Sequence, residues 1–317
     1  FYTQGMPQDT KALQYGVLSD AEYARQIKLI LEERKRLFDH EFGRWREGLL
    51  FFYFCTLDLN QHTWWRAWDE QHPLWTKELH VEYGDFIEKL YMEFDEILGR
   101  VMKSLGPRDT LVVMSDHGFA PYRRQFNLNS WLLENGYLVL EDPYMRDSVE
   151  YLEGVDWSRT RAYGLGINAL YINLKGREKN GIVEPAEAEG LKREIARKLE
   201  SVVDPETGRH PVRKAYITEE VFTGEYVKLA PDIIVGYDRG YRGSDDTALG
   251  RLPREIFVDN ADTWSGDHCI DPHVVPGILL VNRPIKATEP RLYDLTVSIL
   301  GEYGIEPPGD MLGKPAW

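Results

Sequence analysis

Thr110-Leu111-Val112-Val113-Met114-Ser115-Asp116-His117-Gly118-Phe119 is the stretch on which the reading of this chain turns. Its first five residues form an apolar, β-branched run, the composition of a buried strand. The run stops abruptly at adjacent Asp116 and His117, two groups that are costly to bury without partners. In open α/β proteins the C-terminal edge of the sheet is where ligands bind. A carboxylate oxygen beside an imidazole nitrogen is a donor pair for Zn²⁺ or Mn²⁺. Gly118 permits the sharp turn that follows.

Working outward, the spacing of Tyr83, Ile87, Leu90, Phe94, Ile97, Leu98 and Val101 predicts a helix from about His80 to Leu105, stopped by Gly106-Pro107. A Trp-rich segment (Trp64, Trp65, Trp68, Trp75) precedes it and reads as a loop. Before that, Leu49 to Cys55 is a continuous apolar run, read as a buried strand that ends in Thr56-Leu57-Asp58. Strand, loop, helix and strand make a βαβ unit, which implies a parallel sheet. Upstream, Ser19 or Asp20 caps a long helix reaching about Trp45, with Tyr23, Ile27, Ile30, Leu31, Leu37 and Phe38 on its apolar stripe. Downstream, Asn127–Asn135 reads as a short helix and Glu184–Val202 as an amphipathic one with Pro in its first turn, while Tyr293–Leu300 closes the chain as a helix. Gly136–Leu140, Ala169–Leu174, Pro231–Val235 and Gly277–Val281 read as strands. The expected architecture is one α/β domain over 1–317, a mostly parallel sheet flanked by helices, with an inserted portion at about 120–260.

Composition narrows the function. The 317 residues are 43% hydrophobic, enough for a substantial core. The formal charge of −14 argues against nonspecific nucleic-acid binding, which needs clustered Lys and Arg. A small anionic substrate remains compatible if a metal supplies local positive charge. Cys55 and Cys269 are too few for a disulfide framework and sit in no CxxC spacing, so a reducing cytoplasm is expected. The longest apolar stretch, Leu49–Cys55, is far too short to span a bilayer, so no membrane partner is expected.

Three of the eight histidines follow strand-like runs. His62 lies four residues after Asp58, His117 directly after Asp116, and His268 in Gly266-Asp267-His268 ahead of Pro276-Gly277-Ile278-Leu279. Asp58, His62 and His268 would form a His₂-carboxylate site with a position open for substrate, the pattern of a catalytic metal. Asp116 and His117 would contribute to a second metal roughly 4 Å away, the spacing of two-metal phosphoryl chemistry. Plain alternatives exist. Asp58 as a helix N-cap with His62 on a surface turn is one; His273 as the ligand in place of His268 is another. Asp267 and Asp271 read as loop carboxylates or partners of the ligands. Arg123, Arg124, Arg159 and Arg161 read as surface decoration, with phosphate contact as the alternative.

The ordered set Asp58-x-x-x-His62, Ser115-Asp116-His117-Gly118 and Gly266-x-His268 resembles the alkaline-phosphatase superfamily, in particular its type I phosphodiesterase/nucleotide pyrophosphatase branch. The segments Gly5-Met6-Pro7-Gln8-Asp9-Thr10-Lys11-Ala12-Leu13, Gly176-Arg177 with Gly181-Ile182-Val183, Ala230-Pro231-Asp232-Ile233-Ile234-Val235 and Trp264-Ser265-Gly266-Asp267-His268 are similar to its microbial phosphohydrolase/phosphomutase group. The resemblance implies two divalent metal ions, zinc or manganese, and a small phosphate-ester substrate. It implies that Asp58, His62 and His268 hold one metal and Asp116 and His117 half of the other. It also implies an Asp-bearing strand and a Ser or Thr nucleophile ahead of the Asp58 motif. No such strand and elbow are read upstream of Leu49, and Thr10 falls in a segment matching a later family region. The expectation is therefore an N-terminally truncated chain whose nucleophile lies upstream of residue 1, which leaves it inactive alone. The non-enzymatic alternative is a binding or scaffold member of the same fold. Oligomeric state is not read from the sequence.

Overall fold

The computed structural model of the chain describes residues 7–317, so Gly5 and Met6 of the first quoted segment lie outside the described residues. In chain order the elements are α1 (Thr10–Gln14), α2 (Asp20–Arg44), α3 (Thr56–Trp68), α4 (Lys77–Tyr83), α5 (Phe86–Ser104), β1 (Val112–Met114), β2 (Ala120–Phe126), α6 (Leu128–Glu134), β3 (Ala162–Gly164) and β4 (Ala169–Ile172). They continue with α7 (Pro185–Glu200), β5 (Val212–Ile217), α8 (Thr218–Val221), β6 (Ile233–Tyr237), β7 (Gly240–Gly243), α9 (Asp245–Ala248), β8 (Phe257–Asp259), β9 (Gly266–Asp267), β10 (Leu279–Val281) and α10 (Leu292–Glu302). The fold is mixed α/β, as expected. Among the described residues no helix is long and apolar enough to cross a membrane.

Two compact units divide the chain: residues 7–90 with 119–274, and residues 91–118 with 275–317. In the first, α2 forms because its start is doubly secured. The Ser19 hydroxyl accepts from the Glu22 amide, and the Glu22 carboxylate accepts from the Ser19 amide, a capping box worth about 1 kcal/mol. Its buried residues Tyr23, Ala24 and Ile27 meet Leu13, Trp64 and Ala67 in one core cluster. Strands β3-β4-β6-β5 make an antiparallel sheet, and β7-β2-β8 a mixed one, with β9 added on β2. Of these pairings, β2 with β7 is parallel.

In the second unit, β1 pairs antiparallel with β10, Val112 opposite Val281 and Met114 opposite Leu279. The Ser115 amide donates to the Ile278 carbonyl and the Gly118 amide to the Val275 carbonyl, so the Asp-His turn runs along 275–278. The Ile278 amide in turn donates to Ser115 Oγ at 3.0 Å. Gly118 has no room for a side chain, since a Cβ there would lie 2.7 Å from the Pro276 carbonyl oxygen.

Several sequence expectations are corrected. Leu49–Cys55 is not a buried strand: it enters no sheet among the described residues. Its burial alternates, with Leu49, Phe51 and Tyr53 exposed while Phe52 and Phe54 pack on Phe38 of α2. The parallel βαβ unit built on that run is therefore absent, and β1 takes an antiparallel neighbour. The Trp-rich segment is mostly the helix α3. The helix expected over His80–Leu105 is two helices, α4 and α5, interrupted at Gly84-Asp85. Gly136–Leu140 makes a turn with a single bridge from Leu140 to Val155.

Candidate metal centre

Asp58 and His62 sit one turn apart on α3, where residues i and i+4 share a face. Asp58 lies in the first turn, where a negative charge is favoured by the helix dipole. His268 follows β9, which lies directly against α3. The Ser265 amide donates to the His62 carbonyl at 2.6 Å, and Ser265 Oγ accepts from the Arg66 amide at 3.0 Å. Gly266 makes this approach possible, because a Cβ there would lie 2.4 Å from the Gln61 carbonyl oxygen and 2.8 Å from the Trp65 ring.

The outcome is convergence. His62 Nε2 lies 3.9 Å and His268 Nε2 3.8 Å from the same oxygen, Asp58 Oδ1. Both separations are too long for hydrogen bonds. Two atoms each about 2.1 Å from one cation lie at most about 4.2 Å apart, so both pairs fit a shared ion.

The tautomer agrees. His62 Nδ1 is 2.7 Å from the Gly266 carbonyl oxygen, which only accepts, so Nδ1 carries the proton. Burial pushes the imidazole pKa down to about 4, partly offset by Asp267, so the ring is neutral at pH 7 and Nε2 bears a lone pair. The His62 Nε2 lone pair and Asp58 Oδ1 are both acceptor atoms turned toward one point, an arrangement that a cation between them would satisfy. The donors therefore fit a divalent ion, and holding the far ring nitrogen on a carbonyl is the usual way a ligating His is oriented.

Aromatic rings wall the site. Trp264 stacks on His62 with centroids 3.7 Å apart and planes at 21°, and Phe119 stands edge-on to both His62 and His268. Asp267 is not a ligand of this set, because three hydrogen-bond donors and one ion pair occupy its carboxylate. The amides of His268 and Cys269 donate to Oδ1 at 2.7 and 2.8 Å. Trp264 Nε1 donates to Oδ2 at 2.8 Å, and Arg242 Nε forms an ion pair with Oδ2 at 2.8 Å. Burial alone would raise the Asp267 pKa, but Arg242 and the donors hold it below the usual carboxylate range. The alternative cluster Asp267, His268 and Cys269 is the poorer cation site for this reason. In addition, burial lifts the Cys269 thiol to about 11, away from the thiolate a metal needs.

Asp116 and His117 belong to the second unit, whereas Asp58, His62 and His268 belong to the first. Their local geometry repeats that of His62. His117 Nδ1 is 3.1 Å from the Gly118 carbonyl oxygen, and Nε2 lies 3.7 Å from Asp116 Oδ1. His273 is placed elsewhere: it is exposed and tied to Asp271 and Tyr216. Asp58 is not an N-cap, since Cys55 holds that position, and His62 is buried rather than on a surface turn.

Of the arginines read as decoration, two are structural. Arg123 pairs with Asp69 through Nε and Nη2, at 2.6 and 2.7 Å. Arg124 is buried against Asp204, Glu206 and Asp259. Arg159 makes a surface pair with Asp156. Sequence reasoning missed Trp264 as a wall of the site and Arg242 as the buried partner of Asp267. The signal for the first was its place in the Trp264–His268 segment; Arg242 left none.

Within this mixed α/β fold, two imidazoles and one carboxylate thus converge on a single point. Residues 8–254 match the family described as type I phosphodiesterase / nucleotide pyrophosphatase, and the chain belongs to that family. The match includes Asp58, His62, Asp116 and His117 and ends before His268. A comparison with curated proteins returned no match.

Proposed function

We propose that this chain carries the cation-binding part of a metal-dependent phosphoesterase centre acting on a small phosphate ester, of the phosphodiesterase or phosphohydrolase type, with phosphomutase transfer as its near relative. Asp58, His62 and His268 would hold one divalent ion, zinc or manganese, and Asp116 with His117 would contribute to a second. The observation that carries the reading is the approach of two imidazole Nε2 atoms to one Asp58 oxygen at 3.8 and 3.9 Å. The family's hydrolase chemistry supports it.

When bound, the divalent ion supplies positive charge against the negative charge of a phosphoryl group in transfer. The residues set how much. A single carboxylate with two imidazole nitrogens would leave a bound dication with net positive charge, which would favour an anionic ester. Gly266 keeps the His62 lone pair directed inward, and Trp264 and Phe119 exclude water from the flank of the site. The attacking hydroxyl is assigned to no residue here. A reducing cytoplasm is the compartment we favour, on the two free cysteines.

The test is cation content and cation-dependent binding of inorganic phosphate, measured on the chain and on His268→Ala after dialysis against zinc or manganese. We expect phosphate binding only with the ion present, and loss of both in the variant. Unchanged cation content in His268→Ala would remove the basis of the assignment. Hydrolysis of bis-p-nitrophenyl phosphate then reports on turnover.

A further inference from the structure

We propose that Asp267, through Trp264 and Arg242, is the positioning residue that fixes both imidazoles of the centre at once; this rests on the cation reading above. Each bond in the chain of contacts has a direction. Arg242 is buried, its guanidinium lies 4.9 Å over the Tyr122 ring, and it also reaches Asp245 at 3.0 Å. It is thus anchored on β2 and on α9 before it meets Asp267. Asp267, itself only 2% exposed, spends one oxygen on the backbone that leads into His268 and the other on the Trp264 indole and Arg242.

The consequences diverge from that carboxylate. Through the His268 and Cys269 amides it closes the turn that sets where the His268 ring begins. Through the indole N–H it fixes the plane of Trp264, and that plane lies on the His62 ring at 3.7 Å. The carbonyl of Gly266, between Trp264 and Asp267, holds His62 Nδ1. Two ligands from distant parts of the sequence therefore share one support. Loss of the indole N–H should let the Trp264 plane rotate and His62 follow it, while the His268 turn stays closed.

The experiment uses the 317-residue chain and two variants, Trp264→Phe, which keeps a ring but removes the donor, and Trp264→Leu, which removes the stack. Zn²⁺ dissociation constants come from competition with a chromophoric chelator, and Co²⁺ d–d absorption reports the geometry of the bound ion. Far-UV circular dichroism and the thermal midpoint monitor the fold. Expected is a loss in Zn²⁺ affinity of about 10-fold for Trp264→Phe and up to about 100-fold for Trp264→Leu. The Co²⁺ bands should shift in both, with the fold signals unchanged. Wild-type affinity and an identical Co²⁺ spectrum in Trp264→Leu would overturn the positioning role while leaving the cation reading intact. Absence of Zn²⁺ binding by the wild-type chain would overturn the cation reading and this inference with it.

Discussion

Acid should unfold this protein earlier than its carboxylates alone would dictate, and His72 is one of the residues responsible. His72 is buried, with Nδ1 accepting from the Leu74 amide at 3.1 Å and Nε2–H donating to the Tyr122 carbonyl at 3.1 Å. Both nitrogens are used in the neutral tautomer, and a second proton would have to displace the Leu74 bond. Burial pushes the pKa from 6.5 down to about 4, with Asp69 and the Tyr122 bond opposing, and Arg66 and Arg123 adding to the depression. A group with a depressed folded pKa lets the unfolded chain bind more protons. Its contribution is complete above about pH 6.5 and is lost as pH falls toward 4. At about 1.4 kcal/mol per pH unit per proton, the loss between pH 7 and 5 is about 2 kcal/mol. His62 carries the same depression, so the two together cost about 4 kcal/mol without metal. The assay is urea denaturation at pH 5, 6 and 7, with chelator present, on wild type and His72→Gln. Gln retains a donor and an acceptor but does not titrate. The pH-dependent loss should shrink by about half in the variant. A His72→Gln profile that superimposes on the wild type would refute the reasoning.

Other changes follow from the same contacts. Arg124→Ala removes the cation beside Asp204, whose side chain is fully buried and would keep only the Tyr241 hydroxyl and the Glu206 amide as partners, and should cost about 3 kcal/mol in the same denaturation assay. Gly266→Ala drives a methyl into the Gln61 carbonyl, so β9 must withdraw from α3. We expect a stability loss of about 1–3 kcal/mol and no retained cation by elemental analysis. Asp58→Asn keeps the shape of the ligand but removes its charge. Zinc content after dialysis should fall well below stoichiometric, with the thermal midpoint of the metal-free chain little changed.

Helices were legible wherever one apolar stripe faced the core and the cap was explicit. In α2, Ser19 and Glu22 mark the start and Tyr23, Ile27 and Ile30 the buried face. In α7, Pro185 stands at the first position. The helix α3 was illegible because its buried face is largely polar. Asn60, His62 and Thr63 are buried there, paired by Asn60 Nδ2 to the Thr56 carbonyl and Thr63 Oγ1 to the Leu59 carbonyl. With so many polar residues on it, that face shows no continuous apolar stripe, although its hydropathy is as periodic as that of α2. Only the four-residue spacing from Asp58 to His62 held the information. The run Leu49–Cys55 misled for the opposite reason: continuous apolar composition says nothing about whether a ladder partner exists. Aromatic packing on Phe38 holds its inner side.

Trp264-Ser265-Gly266-Asp267-His268 shows why the residue types of a site outrun what spacing alone reveals. A reading for metal ligands takes His268, gives Asp267 at most a supporting part and leaves the remainder as context. In the structure each of the other four has its own task. Trp264 lies on the His62 ring, Ser265 ties β9 to the backbone of α3, and Gly266 leaves room for that approach. The Gly266 carbonyl also selects the His62 tautomer, and the Asp267 carboxylate anchors the turn into His268. The Ser115–Gly118 turn uses part of the same logic, with Ser115 Oγ accepting from Ile278 and the Gly118 carbonyl facing His117 Nδ1. In both, a glycine that looks like turn punctuation also presents the carbonyl that faces a histidine's Nδ1. Replacing Gly266 should therefore disturb His62, 204 positions away in sequence, as much as it disturbs its neighbour His268.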